Sequence, residues 1–571
     1  MGASASRSLQ PEQLAMFKKM PPSNNFYQAE IEIPEREENR VPTDKKFLIV
    51  LGVMILVLLP FVIYTLCYSD MDRLSIYDQC GNICGKKNAK YDQWECTGQD
   101  YTNKKLLQFD NLHEVKDIYL SSRRCVSECY PGYSEMLQGY CFEGEIDRTE
   151  ATADVDLENW SSELGVFLQS MAWRLTLACF LSLAVALSML YLFRVAAAAM
   201  VWSILAGVLV LLVILVAFLW YGYFKIESND KGGLIIAPLF FTVMLVILVA
   251  VLVFLHKKIA LVIVIFKEAM KATFAMPRLL LVPIVTFFAD LLVVVIFLIA
   301  LAFMLSAGTL TEIIDGYLQY QPNVVMQFSI IFSFWMTFWV SQFLTGIQYM
   351  VIAGAVSKWY FAKDKNNLNA PIITSASIAF KFHLGTAAFG SLIITVMAII
   401  RSLISSLFKN KFVKACFDSC MSVIEDFLKY LSKNAYIMTA MHGKPFFKSG
   451  KRAARILLQN VANIIVLNYI GDFVIVMAQV LVMLISLLFT YLILQGVDSP
   501  HKWAVYVIVG IISIIVAAIC FSIFETVIDT IYLCFCEDKL LNDGMARPYA
   551  MSRDLMEFME DSKKIFGEKK T

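Results

Sequence analysis

Charge is what this chain lacks. Of 571 residues only 17% are Asp, Glu, Lys or Arg, against 58% hydrophobic. Mean hydropathy is +0.63. A soluble surface needs about a quarter charged residues, so most of this surface must face lipid. Neither sign dominates, since 49 basic side chains stand against 48 acidic ones for a net charge of +1. That leaves no basic field for nucleic acid. Phosphate-cradling glycine motifs are missing as well. There is no G-x-x-x-x-G-K-[ST] and no G-x-G-x-x-G in a βαβ pattern, so pumping driven by ATP bound to this chain is excluded. No H-E-x-x-H and no nucleophile elbow occur, and the loops are too short for a catalytic domain. The chain therefore reads as no enzyme, with no cofactor and no metal.

What is present is a series of long apolar runs. About 20 such residues cross about 30 Å of hydrocarbon as a helix. Nine runs qualify: 47–67, 173–193, 199–220, 234–255, 279–304, 328–353, 376–400, 472–494 and 503–535. The first follows a polar leader, so it reads as a signal-anchor and not as a cleaved signal peptide. Lysines and arginines after 255 and after 353 mark those loops as cytoplasmic, while 305–327 has neither residue and reads as exterior. The N-terminus is then cytoplasmic. Nine crossings would leave the C-terminus outside, yet 433–455 is basic and the tail ends in KKIFGEKK. A tenth, weak crossing at about 412–438 repairs the parity. The alternative is that 376–400 and this segment form a re-entrant pair. The expected fold class is an all-α polytopic transmembrane bundle of about ten spans with a small disulfide-bearing extracellular domain. Its parts are a flexible cytoplasmic tail at 1–46, a first span at 47–67, an exterior loop at 68–172, the remaining spans at 173–535, and a cytoplasmic tail at 536–571.

Three features lie outside the spans. Met1-Gly2-Ala3-Ser4-Ala5-Ser6 fits the N-myristoylation pattern, against the plainer reading of a small-residue start. Cys80, Cys84, Cys96, Cys125, Cys129 and Cys141 share the exterior loop. Six cysteines there point to three disulfides in any of fifteen pairings, with zinc as the weaker rival. Asn159-Trp160-Ser161 is a glycosylation sequon beside the second span.

Ionisable residues inside a span are costly and point to function. Glu525 and Asp529, four apart in FSIFETVIDTIYLCF, share a helix face. They read as a cation site or a proton-coupled carboxylate, or else as a structural pair met by Lys, Arg or backbone. The structural reading is the stronger for Asp529, which lies nearer the span's end. Asp290 is a third candidate, equally a hydrogen bond to a neighbouring helix. Lys381 and His383 read as satisfied packing groups. Trp220, with Tyr221, ends the third span. Such aromatics form interfacial belts, but a π-face with a counter-charge is also how a protein holds a quaternary ammonium. Trp220 with Glu525 would supply both.

Five stretches then carry a resemblance: YDQCGNICG at 77–85, AGAVSKWYF at 353–361, HLGTAAFGSLII at 383–394, KNAYIMTAMHG at 433–443, and FETVIDTIYLCFCEDKLLNDGMARPYAMSRDLM at 524–556. In these the chain resembles the choline transporter-like family. The resemblance implies a ten-helix carrier with both termini cytoplasmic. It implies sodium-independent transport of choline and possibly ethanolamine at the plasma membrane, or at a mitochondrial or other internal membrane. The driving force would be the membrane potential, with proton exchange as a possible addition. It also implies that Glu525 and, more loosely, Trp220 touch substrate. The expected partners are this small amine and membrane lipids, with the oligomeric state open. The competing functions are a non-transporting protein that uses its exterior loop for adhesion or receptor contact, and a passive channel.

Overall fold

Backbone amides in hydrocarbon have no water to bond, so each apolar run must close its own hydrogen bonds as a helix. The computed structural model describes residues 33–74, 76–110, 122–131, 133–137, 139–143, 165–225, 235–314, 317–365, 368–459, 461–497, 499, 501–542 and 547–557. Gly2 and Asn159 lie outside them. The helices are α1 (Lys45–Tyr68), α2 (Ala172–Lys225), α3 (Ile236–Ala275), α4 (Leu281–Ser306), α5 (Val324–Phe361), α6 (Pro371–Ile378), α7 (Leu384–Leu407), α8 (Lys411–His442), α9 (Phe446–Gln459), α10 (Val461–Ile493) and α11 (Lys502–Leu541). A single π-turn, Ala379–His383, joins α6 to α7. Among the described residues, eight helical stretches are long and apolar enough to cross a membrane.

One of the eight is two spans. Helix α2 has 54 residues, about 80 Å at 1.5 Å per residue, far more than a bilayer. Its backbone breaks at Ala196 (φ −136°, ψ 46°). Before the break, Ala178 packs with Val505 and Val509 of α11, and Phe193 meets Phe524, so the chain runs down α11. After it, Trp220 reaches Thr242 near the start of α3, while Phe266 of α3 lies level with Phe524. The chain has turned back.

Helix α8 is not among the eight, but its 32 residues are long enough to cross. It fails a hydropathy test because it carries a polar stripe, Lys414, Asp418, Glu425, Lys429 and Lys433. Arg401 of α7 and Lys429 both bind Glu425, at 2.9 and 2.7 Å. At about 48 Å, α8 is longer than a re-entrant arm needs. The helices are consistent with ten crossings.

Outside the bundle, the six cysteines pair as Cys80–Cys96, Cys84–Cys125 and Cys129–Cys141. They staple a four-stranded sheet in the order β2-β1-β4-β3, made of β1 (Leu106–Asp110), β2 (Ser122–Val126), β3 (Tyr133–Leu137) and β4 (Tyr140–Glu143). The stretch between α4 and α5, expected as exterior, is a hairpin, β5 (Thr309–Ile314) and β6 (Tyr317–Gln321). It props the stapled domain. The Leu318 N–H donates to Gln79 O at 2.8 Å, and the Tyr320 hydroxyl to Gly81 O at 2.8 Å.

Two segments expected as loop or tail are ordered. The basic stretch after 255 continues α3 for five turns, because Ile259, Val262, Phe266 and Ala269 repeat at helical spacing and are fully buried. Residues 33–44, expected within a flexible leader, are pinned across the end of the bundle. The Arg40 guanidinium is 5% exposed. It donates to Ala440 O at 2.7 Å and lies 3.0 Å from His383 Nε2. Burial draws its pKa down to about 10, against the opposing pull of Glu35 and Glu37. A buried guanidinium needs such acceptors, and the helix ends supply them. The C-terminal stretch docks likewise. Asp538 accepts the N–H of Met551 at 2.8 Å, and Leu555 is fully buried.

Candidate functional site

After Lys502, helix α11 carries no charged residue until Glu525. A carboxylate in such a helix must find a partner or a wet cavity. Glu525 finds both. The Lys433 ammonium of α8 donates to Glu525 Oε1 at 2.5 Å and reaches Asp529 Oδ2 at 2.7 Å. The same ammonium lies 5.5 Å from the centre of the Tyr349 ring of α5. The Lys433 side chain is 8% exposed, Asp529 is 13% exposed and Glu525 is 46% exposed. The pair is therefore asymmetric: Lys433 is the buried partner and Glu525 faces open space.

That space is a cavity of about 400 Å³ walled by α5, α7, α8, α10 and α11. Small residues open it on α5, where Gln342, Thr345, Gly346 and Tyr349 fall on one face at helical spacing. Four carboxylates line it, Asp426, Asp472, Glu525 and Asp529, against two ammonium groups, Lys429 and Lys433. Asp472 forms no ion pair among the described residues. The wall thus carries an excess of negative charge with an aromatic face beside it, which suits an organic cation and not an anion. Among the described residues no cluster of metal-ligating side chains occurs.

The structure brings Glu525 and Asp529 together at this cavity, through Lys433. It does not bring Trp220 or Tyr221 there. Trp220 Nε1 donates to Thr242 Oγ1 at 3.0 Å, and its ring stacks on Phe224. Tyr221 points outward at 62% exposure. The reason is the turn at Ala196. Glu525 follows Phe524, which packs beside Phe193 just before that turn, whereas Trp220 lies a further 24 residues along α2, about 36 Å away along the helix. The carboxylates accordingly sit in the half of the bundle that holds the turn. Tyr349 supplies the aromatic face instead.

Other singled-out residues meet partners elsewhere in the bundle. Asp290 accepts from the Ser341 hydroxyl of the neighbouring α5. His383 is buried between Arg40 and Thr43, 2.9 Å from the latter's hydroxyl. Lys433, Asp472 and Tyr349 were missed by sequence reasoning. Lys433 begins a basic stretch that reads as cytosolic, and Asp472 opens an apolar run where an end-of-span acid is ordinary. For Lys433 the available signal is the polar spacing of four and seven residues along 414–433.

A family model described as "Plasma-membrane choline transporter" matches residues 239–540. Choline transporter-like protein 1 of Rattus norvegicus is 28% identical over 87% of this chain and 88% of its own length. Choline transporter-like protein 3 of Homo sapiens is 27% identical over 86% of each. Choline transporter-like protein 1 of Torpedo marmorata is 34% identical over 54% of this chain and 50% of its own. Since the matched region takes in more than half of the residues, and with them α5, α7, α8, α10 and α11 of the cavity, the chain belongs to the choline transporter family.

Proposed function

We propose that this chain is a carrier of choline, and of related small amines such as ethanolamine, across the plasma membrane, with both termini cytoplasmic. The observation that carries this reading is the cavity of about 400 Å³, in which Glu525 and Asp529 face the Lys433 ammonium beside the Tyr349 ring. A quaternary ammonium cannot donate a hydrogen bond, so counter-charge and π-faces are what hold it. The volume is in the range of small-molecule sites. Glu525, the exposed acid, meets the onium group first. Tyr349 covers one side, and Asp529 and Asp472 supply further negative potential. Transport is independent of sodium. The membrane potential drives a cation inward with about 2.3 kcal/mol per charge per 100 mV, and proton exchange on a cavity carboxylate adds to it.

The test is labelled choline uptake by cells expressing wild-type protein or Glu525→Gln at matched surface abundance. Opposite unit charges about 4 Å apart attract by about 1 kcal/mol in water and about 4 kcal/mol at an effective dielectric of about 20, so uptake at low substrate should fall by about tenfold or more. Unchanged uptake would remove Glu525 from the site. Replacing external sodium with a larger inert cation should leave wild-type uptake intact, and ethanolamine should compete.

A further inference from the structure

We propose that Lys433 is a tethered stand-in for the substrate. Its ammonium fills the Glu525–Asp529 site in the empty carrier, is displaced by an incoming organic cation, and returns so that the empty carrier can reorient. The proposal rests on the cation-carrier reading above.

The geometry points to it in three ways. First, the Lys433 ammonium meets the same groups that a bound onium group would face: two carboxylates, which its N–H groups contact at 2.5 and 2.7 Å, and an aromatic ring 5.5 Å away. The same site cannot hold this ammonium and a substrate ammonium at once. Second, the two are unequally open. Both line the cavity, but Glu525 is 46% exposed and Lys433 only 8%, so a cation can reach the carboxylate before the lysine leaves. Third, a displaced ammonium has somewhere to go. Asp472 lines the same cavity from α10 and has no ion pair among the described residues. A lysine suits such exchange, because a flexible four-carbon stem carries a point charge with rotatable donors and no fixed fork.

The energetics give the exchange a role. Two uncompensated carboxylates within a bundle are costly, so an empty site without a cation resists the rearrangement that moves it past its neighbours. With either Lys433 or substrate in place the cost is met. Lys433 thereby sets affinity and the return step together: it competes with substrate, and it permits the carrier to reset.

The experiment uses the full chain reconstituted in liposomes, with labelled choline. Binding, net uptake into empty vesicles, and exchange into vesicles preloaded with unlabelled choline are compared. In Lys433→Met the competitor is gone, so choline should bind on the order of tenfold tighter. Exchange should persist, because the site then always reorients loaded, while net uptake should fall by about the same factor. Removing one carboxylate as well, in Lys433→Met with Asp529→Asn, matches the charge again and should return net uptake toward wild type. The double variant also carries the test where the single one does not elute as a folded species. Parallel loss of binding, exchange and net uptake in both variants would overturn the proposal and make Lys433 a pin that holds α8 to α11. Wild-type net uptake in Lys433→Met would overturn it too. Glu525→Gln separates the two levels. If that variant binds choline as wild type does, the carrier site itself has been misplaced. If it fails to bind while Lys433→Met loses exchange, the site stands and only the tether falls.

Discussion

A tyrosine beside an ammonium contributes its ring, not its hydroxyl. Tyr349→Phe should therefore keep choline affinity, and Tyr349→Leu should weaken it by about 0.5–2 kcal/mol, a few-fold to roughly thirtyfold, read as a change in KM for uptake. Glycine matters where another chain comes close. A Cβ on Gly385 would stand 2.4 Å from the carbonyl oxygens of Thr43 and Asp44, and backbone cannot yield as a side chain can. Gly385→Ala should push the 33–44 segment off α7, costing about 1–3 kcal/mol, measured as a lower Tm in detergent. At this scale the sequence is legible where a residue violates its surroundings. Glu525 and Asp529 stand out because acids are rare in apolar helices. Lys433 does not, because a lysine beside further lysines looks like the edge of a membrane. Trp220 misleads for the opposite reason. An indole at a span end is equally a belt residue, and only the path of the chain in space decides its neighbours.

Among elements, those that follow one strong period are readable and those with mixed faces are not. Among the described residues the nine apolar runs are mostly helical, although 376–400 passes from α6 through the π-turn into α7 and 472–494 ends one residue past α10. Their ends are less legible, since α3 continues beyond its run on a buried stripe that includes lysines on its other face. Helix α8 shows the same limit: a span whose polar stripe faces other helices scores poorly on any average over its whole circumference. The exterior domain is legible as a disulfide framework, but its pairing is not, because composition contains no distances. Cys84–Cys125 closes the longest of the three loops, 41 residues apart in sequence. Replacing both by serine should cost about 2–4 kcal/mol and lower surface abundance of the exterior domain. The C-terminal part of α11 should be unaffected, as limited proteolysis on both sides of the membrane would report.

Across the whole molecule, the terminal segments at 33–44 and 547–557 both close on the helix ends. The C-terminal one depends on charge. Hydrogen bonds from Lys267 and Lys271 hold the Asp554 carboxyl down to about 2, both at 2.9 Å. A depressed carboxylate stabilises the folded form in full above its unfolded value of about 3.9. That contribution is lost as pH falls through about 2. Hydrogen exchange at the amides of 550–556 should accordingly be flat from neutral pH down to about 5, once corrected for intrinsic rates, and should accelerate between roughly pH 4 and 2. Asp554→Asn should remove the acid-dependent part.

The reversal at Ala196 bears on how the chain enters the bilayer. With one non-helical residue between two spans, there is no loop long enough for either to settle by itself and wait for the other. Residues 172–225 must be handed over as a single hairpin, and Arg194 is the lone basic residue near its tip. Biogenesis of the second and third spans is thus all-or-none: a glycosylation reporter fused after residue 225 and one fused after 196 should never reveal a stable intermediate with only the first arm inserted.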